Sequence, residues 1–357
     1  MSNTFGRMFR FTTWGESHGH SLGVVIDGCP AGMKLEEKDI QEDLDRRRPG
    51  QSRVTTQRQE SDQAEILSGV FEGYTTGSPI SIVVKNKDAD SSKYEPLREV
   101  FRPGHADFTY HAKWGRRDHR GGGRSSARET LCRVAAGAVA KKILNKIGIS
   151  IFGFVDQIEN IVFDEKNFDK NEIEKNNVRC PDKETAVLME EAILKARKDG
   201  DSVGGGITIL SENVPSGLGK PLYGRLDADL ASALMSINAV KGVEIGAGFN
   251  SISMRGSENN DPLILSGKKT VFKSNNSGGI LGGISTGAPI KVRFAVKPTS
   301  SILIDQDTVT TGGEKTKIKV EGRHDPCVAT RAVPIGEAMV AIVLVDHWLM
   351  SQKDRID

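Results

Sequence analysis

The segment 334–351 constrains the fold of this 357-residue chain more than any other. It contains the unbroken apolar run 338–345, with the sequence AMVAIVLV. A helix of this composition is apolar nearly all round, so its whole surface has to be covered. The run is far shorter than the roughly 20 residues of a membrane span. The segment therefore predicts a central helix, buried among the other elements of a globular fold.

The other predicted elements do not alternate regularly between strand and helix. Periodic apolar positions and end signals predict further helices at 37–48, 126–147, 183–198 and 225–239. Strands are expected at 20–27, 80–85, 149–155, 206–212, 242–255, 290–297 and 315–320. This order disfavours a doubly wound parallel sheet. The apolar residues of segment 86–123 follow neither the period of a helix nor that of a strand, so we predict a long functional loop there.

A faint internal echo suggests two related halves. The segment ILSG at 66–69, followed by TGSPI at 76–80, resembles ILGG at 280–283, followed by TGAPI at 286–290. Both pairs lead into a predicted strand. If the echo is real, the chain is one pseudo-symmetric domain with two β-rich halves around shared helices. Chance similarity between two turn-strand units is the alternative.

Positive charge is concentrated in one quarter of a nearly neutral chain. The total is +2, yet segment 46–133 carries +6 and holds thirteen of the 23 arginines. Arginine suits a bidentate grip on phosphate or carboxylate, which favours an anionic ligand. A solvated basic face is the alternative. Glycine is also abundant, with 39 residues, as expected where the backbone closely approaches a ligand.

Two histidines lie in short motifs rich in small residues. His18 belongs to GESHG at 15–19, and His105 belongs to RPGHAD at 102–107. An exposed imidazole is suited to proton transfer near neutral pH. The first motif has the Gly-x-Ser-x-Gly form, but a β-like run follows it, whereas the nucleophile elbow of a hydrolase opens a helix. A hydrolase is therefore disfavoured.

Three further motifs could bind anions. The run RGGGRSSAR at 120–128 leads into a serine-capped helix start, whose backbone N–H groups and dipole favour phosphate. KPTSS at 297–301 offers a lysine and hydroxyl groups, or it closes a hairpin. In RHDP at 323–326, Asp325 forms an ion pair or a proton relay.

The cysteines and the N-terminus carry no strong signal. Cys29, Cys132, Cys180 and Cys327 are widely spaced and form no Cys-x-x-Cys pair, so zinc and dithiol sites are disfavoured. Isolated thiols in a reducing cytoplasm are expected. No apolar run follows Arg7 and Arg10, so a secretory signal is not predicted, and neither a metal nor a membrane is expected.

Together these segments resemble the chorismate synthase family. The matching motifs are GESHG (15–19), DRRRPG (45–50), RPGHAD (102–107), GRSSARET (123–130), LMSINAVKGVEIG (234–246), KPTSS (297–301) and RHDP (323–326). They follow the family's order and span nearly the whole chain. The resemblance implies an α+β fold: a β-α-β sandwich with helices layered between two antiparallel sheets, in one pseudo-symmetric domain over residues 1–357.

The resemblance also implies a reaction. 5-Enolpyruvylshikimate-3-phosphate loses phosphate and a ring proton in a 1,4-anti elimination that yields chorismate. Reduced FMN is required without net oxidation. The implied enzyme is a cytoplasmic homotetramer of the shikimate pathway, with NADPH as an indirect reductant and an external flavin reductase.

The family pattern assigns roles to residues of this chain. His18 keeps the reduced flavin protonated, His105 assists phosphate departure, and Asp325 with Ser126 supports removal of the ring proton. The residues expected to bind FMN are Arg124, Ser125, Ser126, Asn238, Ala239, Gly282, Lys297, Pro298, Thr299, Ser300, Ser301 and Arg323. Those expected around the substrate anions are Ser17, Arg47, Arg53, Arg102, Arg128 and Arg323, with Arg47 and Arg53 also ascribed to the phosphate of NADP.

Two other classes of function are alternatives for this sequence. A flavin-dependent oxidoreductase would consume nicotinamide cofactor in proportion to product. A nucleic-acid-binding protein could use the basic loop, but the glycine run occurs once, aromatic residues are sparse and the chain is nearly neutral. We therefore expect no nucleic-acid partner.

Overall fold

The computed structural model describes residues 3–56, 60–87, 92–267, 269–322 and 324–354. Its strands are β1 Thr4–Phe5, β2 Arg10–Gly15, β3 Ser21–Asp27, β4 Ala64–Ser68, β5 Val70–Phe71, β6 Tyr74–Thr75, β7 Ile80–Lys85, β8 Ser150–Ile158, β9 Ile161–Val162, β10 Gly205–Glu212, β11 Val240–Ile245, β12 Leu263–Ser266, β13 Lys269–Phe272, β14 Ile280–Leu281, β15 Ile284–Ser285, β16 Ile290–Val296, β17 Gln306–Val309 and β18 Lys315–Ile318. Its α-helices are α1 Glu37–Arg47, α2 Asp107–Trp114, α3 Thr130–Lys146, α4 Lys183–Lys198, α5 Leu226–Met235, α6 Gly256–Asn259 and α7 Ala329–Ser351.

Two five-stranded antiparallel sheets flank the main helices. Their strand orders are β1-β2-β3-β7-β4 and β11-β16-β10-β8-β9. In the first sheet, Val24 pairs with Ile82 and both are buried. Helix α3 packs against β2 and β3, whereas α7 packs against β8 and β10, and α3 and α7 pack against each other. The chain is thus α+β with antiparallel sheets, as expected.

Helix α7 is the buried helix that the apolar run predicts. Its residues from Ala332 to His347 are all buried. By length and composition it could cross a membrane, but 83% of its most apolar window is buried inside the protein, as in a core helix. It begins five residues before the expected start at Pro334. Proline has no N–H to offer the carbonyl of Thr330, and the Arg179 side chain donates to that carbonyl instead, at 2.6 Å.

A buried ionic cluster joins the helices. Glu337 of α7 is 1% exposed and accepts hydrogen bonds from Arg46 of α1, Lys141 of α3 and the backbone N–H of Gly153. Burial raises the pKa of Glu337, but Lys141 and Arg46 outweigh burial and lower it to about 2. The carboxylate therefore stays charged in the core and ties three helices to β8.

The internal echo corresponds to a structural repeat in a shifted alignment. Thr75 donates to Pro30 O and accepts from Met33 N, while Ser285 makes the same pair of bonds with Pro215 O and Leu218 N. The hairpins β5–β6 and β14–β15 precede β7 and β16, and the order β2-β3-β7-β4 in one sheet corresponds to β8-β10-β16-β11 in the other. The expected match of 66–69 with 280–283 is wrong, because 66–68 lies in β4 whereas 280–281 forms β14.

Two other expectations need correction. Segment 86–123 is not a structureless loop, because it contains α2 and a 3-10 turn at Ser92–Leu97. Helix α2 escaped prediction because its anchor is the buried Asp107, while Phe108 and Trp114 are exposed and give no apolar stripe. The strand expected at 242–255 ends at Ile245, because Gly246 has a positive φ of 60° and turns the chain.

Candidate functional site

A cavity of about 820 Å³ is lined by most of the predicted site residues. Its volume lies within the range of about 300–1,000 Å³ that is usual for ligand sites. The charged lining has five cations and one carboxylate among the described residues: Arg102, Arg128, Lys241, Lys297 and Arg331 against Asp325. The predicted residues in the lining are Ser17, His18, Arg102, His105, Ser125, Ser126, Arg128, Asn238, Ala239, Lys297, Pro298, Thr299, Ser300, Ser301 and Asp325.

The glycine run 121–123 lies directly against the two histidines. Gly121 (φ 63°) and Gly122 (φ 88°) both have left-handed backbones. A Cβ atom on Gly121 would stand 2.3 Å from Cε1 and Nδ1 of His18. A Cβ on Gly122 would stand 3.0 Å from Cε1 of His105. The histidines, from the β2–β3 loop and the turn before α2, therefore meet over adjacent residues of one backbone segment.

His105 is backed by a buried ionic cluster. Its Nδ1 lies 3.0 Å from Asp107 Oδ1, and Arg102 donates to both oxygens of that carboxylate at 2.7 and 3.0 Å. Burial raises the pKa of Asp107, but His105 and Arg102 outweigh burial and hold the pKa far below its usual range. Burial lowers the pKa of His105, partly offset by Asp107. An arriving anion favours protonation of this imidazole.

The buried Asp62 shares its carboxylate between two arginines. Its oxygens lie 2.9 Å from Arg128 Nη1 and 3.2 Å from Arg47 Nη1. Arg128 also donates to Asn86 Oδ1 at 2.6 Å and lies 3.5 Å from Glu60. Burial raises the pKa of Asp62, but the two arginines outweigh burial and lower it. These acids fix the guanidinium of Arg128 at the cavity wall.

Asp325 and His324 form another part of the wall. Asp325 accepts the backbone N–H of Thr56 at 2.9 Å and pairs with Arg331. Burial lowers the pKa of His324 to about 4, so it is neutral near pH 7. Its Nε2 has no hydrogen-bond partner within the described part of the chain. Both side chains also line a second, smaller cavity of about 230 Å³.

Polar atoms without partners mark the side of the cavity expected to bind flavin. Asn238 donates to Ser125 O at 2.9 Å, but its Oδ1, like Thr299 Oγ1, is buried with no partner in the ranges described. Ala239 has a left-handed φ of 70°, and its carbonyl accepts the N–H of Lys297. Buried polar atoms without a protein partner normally bind a ligand or water. An amide oxygen accepts a hydrogen bond and a hydroxyl can also donate one, so this pair fits a ring that carries both N–H and C=O groups on its edge.

Ser126 and Arg124 lie at the start of the helical segment. The Ser126 hydroxyl accepts the N–H of Arg128 at 3.3 Å and so caps the turn 127–129. The reciprocal bond of a capping box is not made, because Glu129 bonds Thr13 and Arg133 instead. The Arg124 guanidinium donates to Thr13 and to the carbonyl of Gly15, outside the cavity lining.

Three other candidate residues within the described ranges do not line this cavity. Arg47 is 1% exposed, and burial together with Arg331 lowers its pKa. Arg53 is 66% exposed and pairs with Glu190 of α4. Gly282 lies in the β14–β15 turn, beside the N-terminal end of α5, whereas Asn238 follows the other end of that helix. Arg323 lies outside the described residues.

The sequence did not single out several lining residues. Lys241 and His324 lie inside the motifs 234–246 and 323–326, so their position in a motif was a usable signal. Thr56, Tyr94 and Arg331 carry no local signal, because the fold alone brings them to the cavity. Tyr94 contacts the His18 ring edge-on, with the ring centres 4.9 Å apart.

Comparison with known proteins gives one consistent result. The profile of the chorismate synthase family matches residues 9–349. Chorismate synthase of Pelagibacter ubique is 57% identical over 353 residues, covering 98% of each chain, and that of Bradyrhizobium sp. is 58% identical over 353 residues, covering 97% of each. A crystal structure of a chorismate synthase superposes with a TM-score of 0.78 at 35% identity, covering 98% of this chain and 94% of the other.

Proposed function

This chain belongs to the chorismate synthase family, and we propose that the 820 Å³ cavity is its active site. The enzyme is a carbon–oxygen lyase of the shikimate pathway, which supplies aromatic amino acids. It acts on a small molecule, 5-enolpyruvylshikimate-3-phosphate, and forms chorismate by eliminating phosphate. Enzymes of this family use reduced flavin.

The cationic lining is the observation that carries this proposal. The substrate has two carboxylates and a phosphate that carries about −1.5 to −2 charges. Five lining cations against one carboxylate suit such a ligand. Arg102 and Arg128 are already oriented by Asp107 and Asp62, so binding needs little reordering of their side chains. With Ser17, they hold the substrate's anionic groups.

His105 is the proton donor for the departing phosphate. The neutral imidazole lies beside Asp107 and Arg102, and the substrate's negative charge raises its affinity for a proton. Transfer of that proton to a phosphate oxygen neutralises part of the negative charge that develops on the leaving phosphate as the C–O bond breaks. His18, on the adjacent glycine, holds a proton at the flavin side of the cavity.

The residues around Asn238 fit reduced FMN. Asn238 Oδ1 and Thr299 Oγ1, which have no partner among the described residues, would meet its ring edges, while Ser125, Lys297 and the rest of 297–301 offer further donors. When bound, reduced FMN supplies electrons and a basic ring nitrogen for the elimination. Asp325, oriented by Thr56 and Arg331, supports removal of the ring proton, and Ser126 fixes the helical turn that carries Arg128.

Five candidate residues outside the described cavity lining have other proposed roles. Arg47 does not contact the substrate but helps to hold Asp62, which in turn orients Arg128 in the cavity wall. Arg53 is exposed, so it suits the phosphate of NADP better than the enclosed substrate. Arg124, Arg323 and Gly282 remain proposed FMN contacts, although Gly282 lies beyond the far end of α5, so its contact would involve a neighbouring subunit.

Four broader properties belong to the same proposal. The matching strand orders and the packing of α3 on α7 support one pseudo-symmetric β-α-β sandwich over residues 1–357. Exposed Phe249, Ile252 and Leu265 support a homotetramer, because exposed apolar surface of this kind marks subunit contacts. NADPH is proposed as an indirect reductant, acting through an external flavin reductase. We also propose a cytoplasmic location, in keeping with four buried free thiols.

Substrate affinity should weaken several-fold when ionic strength rises from 50 to 500 mM, because salt screens the attraction between the lining cations and the substrate anions. Calorimetric titration in the presence of FMN measures this change. Lys241→Met should flatten the salt dependence, whereas Lys175→Met, at an exposed site outside the lining, should leave it unchanged. Affinity independent of salt would refute the cavity as the anion site.

A further inference from the structure

We propose that Gly121 and Gly122 are positioning residues that place the two histidines together, each glycine forming the floor under one imidazole. The proposal rests on the roles of His18 and His105 given above. It adds a second role to the run, beside the expected binding of phosphate at the helix start. Its basis is that a Cβ atom on Gly121 or Gly122 would run into the imidazole ring of His18 or His105, respectively.

The distances leave no room for a side chain. A Cβ on Gly121 would stand 2.3 Å from two ring atoms of His18, well inside van der Waals contact. A Cβ on Gly122 would approach His105 Cε1 to 3.0 Å and Nε2 to 3.2 Å, and Ser125 Oγ to 3.0 Å. Both glycines also have left-handed backbones, at φ 63° and 88°. An added methyl group would therefore push the ring, the backbone or both.

One short segment thus fixes two side chains that are far apart in sequence. Ser17 N–H donates to Gly123 O at 3.3 Å, which holds the His18 loop on the run. The Ser125 hydroxyl donates to Gly122 O at 2.7 Å, which ties the run to the cavity wall. His105 is fixed from its other side by Asp107. The relative position of the two rings therefore depends on the backbone between them.

Gly115 provides a matched control. It has the same left-handed backbone, at φ 69°, and ends α2 in the same region of sequence. A Cβ there would meet nothing within 4 Å. Gly115→Ala therefore imposes the backbone strain of the other substitutions without displacing a histidine.

The first measurement is steady-state turnover with reduced FMN. Gly121→Ala and Gly122→Ala should each lower kcat by about 10- to 100-fold, because a misplacement of about 1 Å costs this much. FMN affinity should change by less than about threefold, and Gly115→Ala should keep kcat within about twofold. If His18→Ala and His105→Ala lower kcat but Gly121→Ala and Gly122→Ala both keep the wild-type value, the proposal is overturned.

Double-mutant cycles identify which glycine acts on which histidine. In a His18→Ala background the obstructing ring is gone, so Gly121→Ala should lower residual kcat no further than Gly115→Ala does. In a His105→Ala background, Gly121→Ala should retain its full effect. Gly122→Ala should show the reverse pattern, except that its approach to Ser125 Oγ preserves part of its effect in the His105→Ala background. Additive effects in the matched pairs would mean that the glycines do not act through the histidines, and would overturn the proposal.

The thermal midpoint of unfolding gives a readout that does not depend on catalysis. Gly121→Ala should lower the midpoint more than Gly115→Ala does, and His18→Ala should remove the excess. If both histidine variants turn over like the wild type while this coupling persists, the catalytic roles fail and the positioning stands. If the histidine variants are inactive but the coupling is absent, the positioning fails and the catalytic roles stand.

Discussion

Replacing His105 with alanine should lower turnover by about 10²- to 10⁴-fold, the usual contribution of a positioned proton-transfer group. The imidazole lies in the cavity wall with its Nδ1 against Asp107, so its loss removes the proton donor for the leaving phosphate. His18→Ala should cause a loss in the same range. Both variants should still bind FMN, because Asn238 and the segment 297–301 remain. Steady-state kinetics with titration of FMN fluorescence measure the two effects separately.

His20→Ala is the control for these variants. His20 lies two residues from His18, is exposed and is absent from the cavity lining. It should turn over like the wild type. Full turnover in either His18→Ala or His105→Ala would contradict the role assigned to that histidine.

Glu337→Gln should destabilise the fold by about 3–5 kcal/mol, the usual cost of removing one partner from a buried ion pair. The substitution removes the most buried carboxylate that Arg46 and Lys141 share, and leaves them the more exposed Asp43. Chemical denaturation followed by circular dichroism measures the change. Glu212→Gln breaks an exposed pair with Lys170 and should cost less than about 1 kcal/mol. Equal effects of the two substitutions would contradict the structural role of Glu337.

The same cluster gives the wild type an acid-sensitive component of stability. The pKa of Glu337 is about 2 in the folded protein, below the value of about 4.3 in an unfolded chain. A lowered pKa contributes stability above the unfolded value, and this contribution is lost as pH falls through the folded value. Between about pH 4.5 and 2, the unfolding free energy of the wild type should therefore fall more steeply than that of Glu337→Gln.

The sequence predicted the parts of the fold that depend on local pattern. The apolar run in 334–351 anticipated a covered helix, and α4 begins and ends where its pattern predicts. Helix α2 could not be predicted in this way, because the buried pair of Asp107 with Arg102 anchors it and no apolar stripe does. Strand β2 was also missed, because it mixes exposed polar residues with few apolar ones.

The sequence predicted which residues belong to the site, but not which contacts orient them. The excess of arginine indicated an anion site, yet the acids Asp62, Asp107 and Glu60 that orient those arginines were not expected there. Arg47 illustrates the reason. Its motif suggests a ligand contact, whereas its burial against Asp62 depends on how distant segments pack. Sequence spacing likewise gave no sign that the glycine run meets both histidines.

The most direct test is phosphate release from 5-enolpyruvylshikimate-3-phosphate under anaerobic conditions, with and without reduced FMN. The account predicts that phosphate and chorismate form in equal amounts only when reduced FMN is present, with many turnovers per flavin and no net flavin oxidation. No phosphate release with reduced FMN present, or flavin oxidation in proportion to product, would contradict it.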